Sequence, residues 1–136
     1  MRQICSEQII PGIINRDYDQ FAEALYTFNR ASGEYYSDFQ SGSYHSRECA
    51  ELVTQIRNFG VPAVGQSSWG PTLFAVAPEL KVADDLARKL ETGYSQNSRE
   101  LSLEISVTRA DNCGMKIENY DATAVTKNRG ANTTTE

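Results

Sequence analysis

Val64-Gly65-Gln66-Ser67-Ser68-Trp69-Gly70-Pro71-Thr72 is the stretch on which the reading of this chain turns. An apolar run, Val61 to Val64, leads into it, and a second, Leu73-Phe74-Ala75-Val76-Ala77, leads out. The layout is strand, polar loop bounded by glycines, strand. A glycine permits backbone angles or close approaches that a side chain forbids. Between the two glycines lie an amide, two hydroxyls and an indole, along with several backbone N–H groups. Such a loop can cradle an anionic or polyhydroxy ligand. Spacing alone leaves a second reading open, an ordinary hairpin turn whose Trp69 fills a gap in the core.

Upstream of this unit the pattern is helical. Ile4, Ile9, Ile10, Ile13 and Ile14 form an apolar stripe interrupted by Pro11, which predicts a helix broken or kinked there. Asp17 with Gln20 three residues later reads as a capping-box variant. It opens a helix whose Tyr18, Phe21, Leu25 and Phe28 share one face, running to about Gly33 or Tyr36. A polar loop, Ser37 to Tyr44, follows. Ser46 caps a third helix with Cys49, Leu52, Val53 and Ile56 on its buried face, and Gly60 stops it. Downstream, Pro78 suits the first turn of a fourth helix, with Val82, Leu86 and Leu90 buried and Gly93 at its end. Leu101, Leu103, Ile105 and Val107 then alternate with polar residues, the mark of a strand with one solvated face. A short strand or turn is expected around Gly114 to Ile117. The order α, α, α, β, β, α, β predicts an α+β fold, helices packed on one face of a small antiparallel sheet. One domain over residues 1–118 and a polar, disordered tail over 119–136 complete the expected organisation.

Bulk properties narrow the function. At 136 residues the chain is long enough for a real core. A net charge of −5, with basic residues scattered, argues against nucleic-acid binding. No apolar stretch approaches the roughly 20 residues that cross a bilayer, and the N-terminal residues lack a signal-peptide pattern, so a cytoplasmic location is expected. Cys5, Cys49 and Cys113 form neither a C-x-x-C pair nor a disulfide framework and read as small buried residues. His45 is the sole histidine, so a histidine metal site or a Ser-His-Asp triad would rest on it alone. Flanked by Tyr44 and Ser46, it reads as a loop or helix-cap residue. No metal ligand set and no general base stand out.

The Gly65–Thr72 segment resembles the third, glycine-rich motif of the GHMP kinase superfamily. Within that superfamily it is most similar to the β-ribofuranosylaminobenzene 5'-phosphate synthase family, whose members carry a G-Q-S-S-W-G-P-T run before a short apolar strand. The likeness extends to Ile10-Pro11, to Asp17-Tyr18-Asp19-Gln20-Phe21 and to the Gly33–Gln40 loop. Downstream, Asn112-Cys113-Gly114-Met115 resembles a closing N-x-G-A segment. It departs at Gln40-Ser41-Gly42, where relatives tend to have paired glycines, and at Met115, where a smaller residue is usual.

The resemblance covers most of residues 4–118 and implies the C-terminal domain of such an enzyme. Family enzymes are about twice this length, and their N-terminal half carries a P-x-x-x-G-L-G-S-G-type loop whose stacked N–H groups wrap phosphates. No such segment occurs here, so the expectation is a C-terminal half, incomplete and inactive alone, with an N-terminal domain or partner chain supplying the rest. The implied activity is phosphoribosyl transfer to a benzoate-type acid in the biosynthesis of a pterin-like (methanopterin-type) C1 carrier. The implied site residues are Gly65, Gln66, Ser67, Ser68, Trp69, Gly70 and Thr72, seconded by Gln40, Gly42 and Tyr44. The chain itself would hold no cofactor. Mg²⁺ and a phosphorylated substrate or ATP would belong to the complete enzyme.

Two alternatives stand beside this one: a fragment of a GHMP small-molecule kinase, and a stand-alone, non-catalytic metabolite-binding or homodimerising module. A relic without activity is a third. One property separates the first pair from the module. A domain built to meet a partner leaves apolar surface exposed around Trp69, Pro71 and Phe74, whereas a self-sufficient module buries it.

Overall fold

The first helical segment survives its proline. In the computed structural model, which describes residues 1–97 and 103–114, helix α1 runs as Arg2–Ile4, Cys5–Ile9 and Ile10–Asn15. Pro11 has no N–H to offer the preceding turn. The chain answers by widening rather than breaking: Cys5–Ile9 is π-helical, and the Ile10 N–H reaches five residues back to the Cys5 carbonyl. Such single wide turns inside α-helices are a recognised way to absorb an irregular residue. The segment ends at Arg16, left-handed at φ 55°. Its N–H bonds the Ile13 carbonyl at 3.2 Å and the Asp17 N–H bonds the Gly12 carbonyl at 2.8 Å. That pair of bonds is a Schellman motif, and it satisfies carbonyls that the helix end would otherwise strand.

Helix α2, Tyr18–Tyr35, opens where the cap pattern places it, with the Asp17 carboxylate accepting from the Gln20 N–H at 3.0 Å. Helix α3, Arg47–Asn58, is capped by the Ser46 hydroxyl, which accepts from the Cys49 N–H at 3.2 Å. Cys49, Leu52, Val53 and Ile56 are all buried, as their spacing predicts. Gly60, at φ 91°, closes the helix: its N–H reaches Arg57 and the next, from Val61, reaches Ile56.

Strands β1, Val64–Gln66, and β2, Leu73–Ala75, pair antiparallel with Val64 opposite Ala75, Gly65 opposite Phe74 and Gln66 opposite Leu73. Helix α4, Leu80–Asn97, follows. The core joins α3, β1 and α4 through residues such as Val53, Ile56, Val61, Val64, Leu86 and Leu90. Arg57 ties α3 to α2 as well. Its guanidinium lies 3.8 Å from the Tyr26 ring centroid, donates to both oxygens of Glu23 and donates to the Pro62 carbonyl at 2.8 Å. The fold is α+β, with helices packed on a small antiparallel sheet.

Three boundaries differ from the sequence reading. Pro78 lies outside α4, because the first helical bond runs from the Ala83 N–H to the Glu79 carbonyl. Gly93 does not end α4, which continues to Asn97; a glycine costs a helix only about 1 kcal/mol, less than ending the hydrogen-bond ladder early. The strand expected over residues 101–107 does not form a ladder at residues 103–107. Leu103 and Ile105 do sit half-buried on the core while Glu104 and Ser106 are exposed. Alternation therefore reports two-sided burial, which a segment lying on a core shows without pairing. Leu101, Ser102, Met115, the turn at Gly114 to Ile117 beyond its first residue, and the tail fall outside the described residues.

Candidate functional site

The Gln66–Thr72 loop is held from three sides. Within the hairpin, the Ser67 N–H bonds the Thr72 carbonyl at 2.9 Å and the Gly70 N–H bonds the Ser67 carbonyl at 3.0 Å. Ser68 at φ 52° and Gly70 at φ 73° turn the chain, and the Gly70–Pro71 peptide is cis. From α2, Asn29 lays its carboxamide along the outer edge of β1. Its Oδ1 accepts from the Gln66 N–H at 2.8 Å and its Nδ2 donates to the Gln66 carbonyl at 2.9 Å. A side-chain amide thus stands in for a neighbouring strand. The approach is so close that a Cβ on Gly65 would overlap the Asn29 carboxamide.

Gln66 is the centre of the arrangement and is 6% exposed. Its Oε1 accepts from the His45 N–H at 2.6 Å, and its Nε2 donates to the Ser68 carbonyl at 3.1 Å. A buried amide with both ends bonded fixes the loop before any ligand arrives. Gly70 lets the α2–α3 connection close over it, since a Cβ there would lie 2.7 Å from the His45 Cβ.

What this scaffold presents outward is aromatic. Trp69 is 53% exposed, and its ring lies 4.8 Å from that of Tyr36, tilted by 55°. Tyr35 meets Tyr36 edge-on at 5.0 Å. Tyr35 and Phe39 are exposed. Ser67, Ser68 and Thr72 are exposed beside the indole.

The candidates on the α2–α3 connection are placed differently. Gln40 donates to the Gly33 carbonyl at 3.2 Å, tightening that loop. Gly42, at φ 84°, has open space around it. Tyr44 turns into the core, with Tyr26 beside its hydroxyl. Burial, and next the neighbouring Tyr26, push Tyr44 from 10.0 up to about 12. The fold therefore favours the protonated phenol. The stability this contributes is intact below pH 10 and lost as pH climbs through about 12. A denaturation series is expected to show that fall in the wild type and a shallower one in Tyr44→Phe.

Asn29, Tyr36 and His45 were not among the site residues read from the sequence, where His45 stood as a loop or helix-cap residue. Asn29 did carry a signal: it stands four residues after Leu25, a poor helix former on the apolar stripe. Gly33 and Tyr36 continue its row at i+4 and i+7.

Residues 9–96 match the family model described as GHMP kinases C terminal. An α+β domain with a glycine-bounded hairpin loop is what that class of domain presents here. This chain belongs to the GHMP kinase C-terminal family. No solved structure matches it. Among the described residues no cluster of three or more His, Cys, Asp or Glu could hold a metal ion, and no helix is long and apolar enough to cross a membrane.

Proposed function

We propose that this domain forms the acceptor wall of a GHMP-superfamily enzyme pocket, and that the acceptor is a benzoate-type aromatic acid in a phosphoribosyl transfer. The observation that carries the reading is the half-exposed Trp69 packed at a tilt against Tyr36 on a loop fixed by Gln66 and Asn29. An exposed indole packed against a tyrosine offers an aromatic ring a stacking face at reduced ordering cost. The hydroxyls of Ser67, Ser68 and Thr72 stand ready for the polar groups of such a ligand. Exposure of Trp69 and Pro71, with Phe74 half-buried, favours a domain that meets a partner over a self-sufficient module.

Phosphate binding, and any Mg²⁺ or ATP, belong in this reading to the partnering domain. The Gln66–Thr72 loop bears no carboxylate, so its donor set does not suit Mg²⁺, and no step is routed through a metal on this chain.

Trp69 is the only tryptophan, so its fluorescence reports this site alone. Titration with 4-hydroxybenzoate and 4-aminobenzoate is expected to give a saturable change in Trp69 emission, while cyclohexanecarboxylate gives none. Emission unchanged by both aromatic acids would remove the acceptor-site reading. Equal responses to all three would replace stacking with a generic carboxylate site.

A further inference from the structure

The geometry points to His45 as the residue that recognises the carboxylate of the aromatic acid, which makes this chain's acceptor site selective for an anion. The inference rests on the acceptor-site reading above and adds to it a charged contact that the hairpin itself cannot supply.

His45 is exposed, yet its backbone is held from several sides. On one side Tyr44 is 6% exposed and anchored in the core. On the other, Ser46 caps α3. Its own N–H is held by the buried Gln66 side chain at 2.6 Å. Its Cβ lies against Gly70, close enough that only glycine fits there. Core anchor, helix cap, buried amide and glycine contact converge on one position, and what they leave exposed is an imidazole whose Cβ lies against Gly70, next in sequence to Trp69. Its ring carries no hydrogen bond among the described residues. No buried packing role accounts for the side chain.

Charge singles out the same residue. From Gln66 to Thr72 the hairpin has no ionisable side chain. On the histidine's own side, Arg47 is paired with Glu51 at 2.8 Å, and the Ser46 hydroxyl draws the Glu48 carboxyl below its usual range. On the α2 side, Arg30 is paired with Glu34 at 3.4 Å, Tyr35 and Tyr36 follow, and the connecting loop brings Asp38. Both neighbouring guanidiniums are thus engaged with carboxylates. His45 is the basic side chain of this connection that is not in an ion pair among the described residues, and histidine is the residue type whose charge changes between about pH 5 and 8. A charge-assisted hydrogen bond to a carboxylate is stronger than a neutral one, so affinity should follow the proton.

The test uses the full chain and Trp69 emission. 4-Hydroxybenzoate and its uncharged analogue 4-hydroxybenzamide are titrated at intervals between about pH 8 and 5.5, in wild type and in His45→Gln. Thermal melts first establish that the variant is folded. The expected result is a dissociation constant for the acid that tightens about 3- to 10-fold as pH falls, with no change for the amide. In His45→Gln the ratio between the two pH values should drop to about 1. Binding of the acid without pH dependence, or with the same dependence in His45→Gln, overturns the assignment while leaving the acceptor site standing. No response to acid or amide at any pH overturns the acceptor site and this assignment together.

Discussion

Asn29→Ala is expected to destabilise the domain by about 2–4 kcal/mol, measured by urea denaturation. The substitution removes two hydrogen bonds at once, those to the N–H and the carbonyl of Gln66. Both orphaned groups lie at a part-buried strand edge, where an unsatisfied polar group costs about 1–3 kcal/mol. Gly65→Ala should reach a similar loss by another route, because its new methyl occupies the space of the Asn29 carboxamide and forces it off the strand. The two substitutions break one contact, so they should not add. In the Asn29→Ala background, Gly65→Ala is expected to cost at least about 1 kcal/mol less than in the wild type. Strict additivity would mean that the glycine and the amide act independently, and the strand-mimic account would fall.

Trp69→Ala should show the opposite profile, a large loss of binding with a small loss of stability. The side chain is more than half exposed and lies outside the core. Its removal forfeits the tilted ring contact with Tyr36, worth about 0.5–1.5 kcal/mol. Stacking of a ligand ring on an aromatic side chain is worth about 1–3 kcal/mol, so affinity for 4-hydroxybenzoate should fall roughly 5- to 150-fold. Since the variant has no tryptophan left, calorimetry supplies the binding constant and circular dichroism the melt. A collapsed melt with unchanged binding by the surviving folded fraction would make Trp69 a packing residue and move the site elsewhere.

What could be read from the sequence was local. The Asp17 and Ser46 caps, the Gly60 stop and the buried face of α3 each depend on residues within one or two turns, and each stands where its pattern put it. The hairpin was legible for the same reason, two short apolar runs around a glycine-bounded loop. The support for that loop was not. Asn29 is 37 residues from Gln66, and His45 is 21 residues from it. Polar contacts of that span leave no periodic trace. Pro11 marked an irregularity without revealing its form, which depends on whether the preceding turn can widen, as the π-helical Cys5–Ile9 does. The segment after α4 shows the limit of alternation, which distinguishes faces but does not say whether a strand has a partner.

The division of labour within the hairpin loop has one more result. Its shape is set by backbone bonds and by side chains that face inward, Gln66 and Asn29 above all. Ser67, Ser68 and Thr72 lend the scaffold their backbones but not their side chains. Exchanging the side chains of Ser67 and Thr72 can therefore alter the surface of the loop without disturbing how it folds, whereas Ser68, left-handed at φ 52°, tolerates fewer replacements. Such a loop can vary its exposed chemistry at little cost to the fold.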